Sequence, residues 1–215
     1  MQLKTSWKLL GIGALLILID QVSKILVKTQ MTIGESFSVL GDWFQIYFVE
    51  NEGMAFGMSF GGAVGKFLLT LFRIVLVVFL IGYIRRLMRK QVPMGVLVGL
   101  TLITVGALGN IIDSLFYGVL FGPSTFYEVA QFLPEGGGYA PFCFGHVVDM
   151  LYFPLIDTTW PSWVPFVGGK ELVFFRPIFN FADSCITVGA FYLILFQWRF
   201  FAAEDKEEQS DKIHK

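Results

Sequence analysis

The chain has 215 residues, of which 55% are hydrophobic and only 15% charged, and its mean hydropathy is +0.66. Soluble domains carry about 25% charged residues, so this composition excludes an ordinary soluble globule and points to a polytopic membrane protein. The net charge of −1 gives no electrostatic footprint for nucleic acid. Cys143 and Cys185, with His146 and His214, show neither metal-ligand spacing nor a disulfide framework, so no metal and no cofactor is expected.

A bilayer core of about 30 Å needs about 20 mostly apolar residues. The first such stretch, about 9–27, follows Lys4 and Lys8. It has the outline of a signal peptide, but Asp20 and Lys24 interrupt the run and no small-residue cleavage site follows, so it reads as a retained first span. Asp20 and Lys24 stand at i and i+4 and can pair on one helix face. In the region of about 28–63 the alternating WFQIYFVEN predicts a short strand before a turn at Glu52–Gly53. A second span covers about 64–84, carries Arg73, and runs into RRLMRK. A third, about 94–120, starts after Pro93 and holds Asn110 and Asp113 on one face. The region of about 121–180 is long, aromatic and rich in Gly and Pro, and reads as irregular loop. A fourth span, about 181–200, opens with Asn180 as a natural N-cap and Asp183 in its first turn.

The fold class expected is therefore mainly α: a four-transmembrane-helix bundle with an outer-side strand element and long outer loops. Lys4, Lys8, Arg85, Arg86, Arg89, Lys90 and Arg199 fall on one side of this path, which predicts cytoplasmic termini. Residues 1–203 would form the membrane domain, and 204–215 a charged cytoplasmic tail.

Asp149 in HVVDML and Asp183 in FNFADSCITVGA are carboxylates in apolar sequence, each costing roughly 2.5–3.5 kcal/mol on insertion scales. Helix geometry brings polar groups of all four spans to a similar depth. Asp20, Lys24 and Arg73 read best as a structural shell, and Gly106, Ala107 and Gly109 as close-packing positions. Asp113, Asp149 and Asp183 outnumber the cations at that depth, so one carboxyl should be protonated. An acid beside a carboxylate can activate water; the same surplus could serve a proton- or ion-coupled transporter. Transporters of that kind show internal repeats, and none is visible. A serine-type intramembrane protease would need a Gly-x-Ser-x-Gly stretch, and a presenilin-like one Gly-x-Gly-Asp; neither is present.

Taken in order, DQVSK (20–24), NEGMAFG (51–57), GNIID (109–113), HVVDM (146–150) and FNFADS (179–184) resemble the lipoprotein signal peptidases, the type II signal peptidases of bacteria. The resemblance implies an intramembrane aspartic endopeptidase that cleaves prolipoproteins before a diacylglyceryl-modified cysteine. It implies Asp149 and Asp183 as the catalytic pair. Asp20, Lys24, Asn51, Gly53, Asn110, Asp113, Asn180 and Ala182 match supporting positions. It further implies a monomer in the bacterial inner membrane, with lipids and lipidated prolipoproteins as partners and the site toward the outer face.

The chain departs from the family pattern at several places. Ser114 stands where the family has Arg, an arginine that would hold substrate carbonyls; Arg176 is a candidate replacement. Met54 stands where Ala is usual. The stretches holding PEGGGYAPFCFG and TTWPSWVPFVGGK are longer than the family's and could be lid, aromatic platform or decoration. His146 could tune Asp149 or sit at the interface.

Overall fold

The computed structural model describes residues 2–51 and 62–202. Gly53, Met54, the expected Glu52–Gly53 turn and the tail 204–215 lie outside the described residues.

Among the described residues, apolar runs without internal proline form three helices long and apolar enough to cross a membrane. Helix α1 is Gln2–Gln30, α2 is Gly62–Arg89, and α3 is Met94–Ile112. Pro93 precedes α3, and its carbonyl accepts from Val96 N at 3.1 Å. Helix α3 runs on through a π-helical turn, Asp113–Tyr117, into a short α4, Gly118–Leu120. The expected third span thus keeps its limits, with a change of helical pitch inside it. A further apolar helix, α5, is Phe181–Phe196. It is interrupted at Gln197 before helical residues resume, so its 16 residues fall short of the expected span 181–200.

The chain forms two compact units. One takes in the residues up to Leu18, Arg73–Gly109, and those from Ala182 on. Its core is aliphatic: Leu9, Ile84, Leu87, Val96, Leu97, Leu100 and Leu193. Helices α3 and α5 approach through glycines. A Cβ on Gly99 would lie 2.5 Å from the Leu193 side chain, and one on Gly106 would lie 2.2 Å from the Ala182 carbonyl oxygen. Val75, Val78, Phe79, Ile194 and Leu195 point outward, an apolar surface that water would not favour.

The other unit takes in Ile19–Phe72 and Asn110–Phe181. Strands β1 (Ser36–Leu40) and β2 (Phe44–Asn51) form a hairpin whose turn uses Gly41 at φ +52°. Strand β2 confirms the strand expected from alternation. The region 121–180 is more ordered than expected. It supplies β3 (Val147–Tyr152), β4 (Ile156–Thr159), β5 (Glu171–Phe174) and β6 (Ile178–Phe179). One antiparallel sheet has the order β1-β2-β3-β6, and β4 and β5 form a separate hairpin. Side chains alternate along a strand: Val148 and Met150 join Phe48, Val27, Tyr117 and Phe121 in the core of this unit, leaving Asp149 on the opposite face of β3.

The PEGGGYAPFCFG stretch covers the end of a helix. A helix C-terminus leaves carbonyls without helical partners, and a π turn shifts the pattern further. The N–H groups of Gly145, Cys143, Ala140 and Tyr139 donate to the carbonyls of Ser114 (2.9 Å), Leu115 (3.2 Å), Gly118 (3.0 Å) and Phe121 (3.0 Å). The approach is close enough that a Cβ on Gly138 would meet Gly118 O at 2.0 Å and one on Gly145 would meet Asp113 O at 2.1 Å.

Candidate active site

Asp20, Lys24 and Lys28 recur every four residues along α1 and form one polar ridge. Lys24 is fully buried. Its ammonium reaches Asp20 at 3.0 Å, Asp113 at 2.8 Å and the Asn110 side-chain oxygen at 2.9 Å. An ammonium has three protons, so this set matches its donors one for one. The expected Asp20–Lys24 pair is present, and Asp113 shares the same cation. Gln21 spreads the surplus negative charge: its amide donates to Asp20 and to Asp113, each at 3.0 Å, while its oxygen accepts from Tyr117 at 3.2 Å.

This buried network reaches the strand that carries Asp149. Val148 N donates to Asp113 Oδ2 at 3.4 Å. Asn110 Oδ1 accepts from Lys24 and also from Asn180 Nδ2, at 3.1 Å. Asn180 Nδ2 in turn donates to Asp149 Oδ1 at 2.7 Å, and Asn51 Nδ2 donates to Asp149 Oδ2. Asp149 is 3% exposed and Asn180 is fully buried. A carboxylate with an amide donor on each oxygen is fixed in rotation and aim.

Asp20, Lys24, Asn51, Asn110, Asp113, Asp149 and Asn180 therefore belong to one unit and one chain of contacts. Asp183 and Ala182 belong to the other unit, in the first turn of α5. Asp183 is half-buried, three residues beyond Asn180, and Ala182 is buried with its carbonyl against Gly106. Arg73 is half-buried on α2, also in that unit.

Ser114 does not stand in for an arginine: it is buried and donates to the Asn110 carbonyl at 2.9 Å. Arg176 lies 3.7 Å from Glu171 with its side chain 63% exposed, a solvated pair. His146 Nδ1 lies 3.2 Å from Glu50, so its partner is Glu50.

Gln21, Lys28, Glu50 and Tyr117 were not anticipated. Lys28 falls just past the expected first span of about 9–27, because a charge after an apolar run reads as its limit. Its spacing of four from Lys24 was the available signal. Among the described residues, no group of three or more His, Cys, Asp or Glu side chains could hold a metal ion.

The model of the signal peptidase (SPase) II family matches residues 12–199. The lipoprotein signal peptidase of Porphyromonas gingivalis is 53% identical over 182 residues, covering 84% of this chain and 78% of the relative. That of Amoebophilus asiaticus is 37% identical over 195 residues, covering 89% of this chain and 78% of the relative. A solved structure described as a bacterial membrane enzyme, at 2.3 Å resolution, shares the fold with a TM-score of 0.58 and 23% identity, over 89% of this chain and 88% of that one. A second, at 1.9 Å resolution, gives 0.57 and 24%, over 87% and 90%. The chain belongs to the signal peptidase II family. It is a membrane protease, and the transporter alternative gains no support from these relationships.

Proposed function

We propose that this chain, a signal peptidase that removes signal peptides from prolipoproteins, works by aspartic chemistry at Asp149 and Asp183, cutting before a diacylglyceryl-modified cysteine. The observation that carries the reading is the grip on Asp149: a buried carboxylate on a sheet strand, with Asn51 on one oxygen and Asn180 on the other. An ionised carboxylate only accepts hydrogen bonds, so those amides suit Asp149 as the base. Asp149 takes a proton from water, whose oxygen attacks the scissile carbonyl carbon. Asp183, protonated, donates to the carbonyl oxygen. The tetrahedral intermediate then collapses as Asp149 passes its proton to the leaving nitrogen; the C–N bond breaks and Asp183 recovers its proton. No covalent intermediate forms.

In this reading Asp20, Lys24, Asn110 and Asp113 hold the shell, and Gly53 and Ala182 are small supporting positions. Helix α5 and the helical residues after Gln197 complete a fourth span. The basic residues set both termini in the cytoplasm, which leaves the site toward the outer face of the bacterial inner membrane. Residues 1–203 act as a monomeric peptidase domain among membrane lipids.

The purified chain in detergent should be given a prolipoprotein peptide with and without the diacylglyceryl group. Mass spectrometry should find one cut, before the lipidated cysteine, and none in the unlipidated peptide. Equal cleavage of both would contradict the proposal.

A further inference from the structure

We infer that Glu50, clamped between Lys28 and His146, is a positioning residue for Asp149: it fixes the pairing of β2 with β3 that sets Asn51 on the Asp149 carboxylate. The inference rests on the reading of Asp149 as a catalytic carboxylate.

Lys28 is fully buried, and the Glu50 side chain is 7% exposed. The Lys28 ammonium donates to Glu50 Oε1 and, at 2.9 Å, to Ser124 Oγ, which itself donates to Glu50 Oε1 at 2.7 Å. It also lies 4.9 Å from the Tyr139 ring centroid and 5.5 Å from that of Phe121, within cation–π range. His146 closes the other side, with Nδ1 at 3.2 Å from Glu50 Oε2 and its backbone N donating to Tyr139 OH at 2.6 Å. Helix α1, strand β2, and the residue just before β3 thus meet at one carboxylate.

Apolar residues could fill this space at less desolvation cost, and the best-attested use of such a buried pair is to fix register. Here the register has a chemical consequence. Val49 pairs with Asp149, Glu50 with Val148, and Asn51 with Val147. Glu50 and Val148 share the core face, while Asn51 and Asp149 share the other. A slip of one residue would turn Asp149 into the core and carry Asn51 away from it. The β2–β3 pairing is irregular between Ile46 and Val49, so the strand before that point does not dictate register at the site. Glu50 supplies it on the near side. Burial acts to raise the Glu50 carboxyl, but the contacts from His146, Lys28 and Ser124 outweigh it and hold the group down to about 2, ionised at working pH. None of these groups touches the reacting atoms; they act through the strands.

The test is steady-state cleavage of a lipidated prolipoprotein peptide by the full chain in detergent, beside thermal unfolding. Glu50→Gln, and Lys28→Met with Glu50→Gln, should each lower kcat on the order of 30-fold with KM within about twofold, since small misplacements cost rate more than binding. The double variant leaves no buried charge unpaired and covers the case in which Glu50→Gln does not fold. His146→Ala, at a half-exposed ring, should lower kcat several-fold while melting only modestly below wild type, and it decides the matter if neither other variant folds. A folded variant with wild-type kcat overturns the inference, as does a change in KM alone. Asp149→Asn is run alongside: full activity there sinks the catalytic reading itself, whereas an inactive Asp149→Asn with active Glu50 variants sinks only the positioning role.

Discussion

Asn180 and Asp149 are joined by a 2.7 Å hydrogen bond, and the same amide nitrogen reaches Asn110 at 3.1 Å. One side chain therefore links the carboxylate on β3 to an asparagine that Lys24 also holds, from α1. Losing the amide would leave Asp149 Oδ1 without that donor. Asn180→Ala should lower cleavage on the order of 10- to 100-fold, comparable to losing one preorganised donor, with an unfolding cost of about 1–3 kcal/mol. Kinetics and detergent melting curves measured on the same preparation check both.

Lys24 pairs with Asp20 and Asp113 at once. Lys24→Met would leave two buried carboxylates facing each other without a cation, a loss of about 3–5 kcal/mol by comparison with other broken buried pairs. The expected result is a chain that melts well below wild type or aggregates on extraction. Adding Asp20→Asn and Asp113→Asn should recover folding, as size-exclusion profiles would show.

The glycines of α3 and α2 should differ in response. A Cβ at Gly106 meets the Ala182 carbonyl at 2.2 Å, whereas Gly82 has nothing within 4 Å. Gly106→Ala should destabilise by about 1–3 kcal/mol and disturb the first turn of α5, next to Asp183. Gly82→Ala, in an open helical position, should be neutral or stabilise by about 0.5–1 kcal/mol. Paired melting curves distinguish the two.

Glu50 makes stability depend on acid. Its folded carboxyl is depressed from 4.5 to about 2, so its contribution is complete above about pH 4.5 and is lost as pH falls through about 2. The linked stability is on the order of 3 kcal/mol. Lys28, His146 and Ser124 contact the same carboxylate. Melting temperature against pH should fall in that window for wild type and fall less in Lys28→Met with Glu50→Gln. Parallel curves would contradict the assignment.

The helices were legible because long apolar runs allow few other readings, and β2 because WFQIYFVEN alternates. Strand β3 was not legible: Val147, Val148, Asp149 and Met150 are all buried, so no alternation marks it, and its carboxylate argues against a strand until Asn51 and Asn180 are seen to satisfy it. Lys28 escapes a sequence reading for a related reason. A charge marks the end of a span unless a distant carboxylate answers it, and Glu50 lies 22 positions on. The Tyr139–Gly145 stretch reads as lid, platform or decoration because its partners are main-chain carbonyls of the π-helical turn, α4 and Phe121, which no side-chain pattern announces. Conversely, Asp20–Lys24 and Asn110–Asp113 were readable as helix-face pairs because their spacing alone brings them together.

The central claim is that Asp149 and Asp183 perform the hydrolysis. It is tested most directly by cleavage of a lipidated prolipoprotein by Asp149→Asn and Asp183→Asn in detergent, each first shown to melt as wild type does. Asparagine keeps the shape of the side chain but can neither take up nor release the proton. The account predicts that each substitution alone abolishes cleavage while substrate binding persists. Cleavage at the wild-type rate by either folded variant would contradict it.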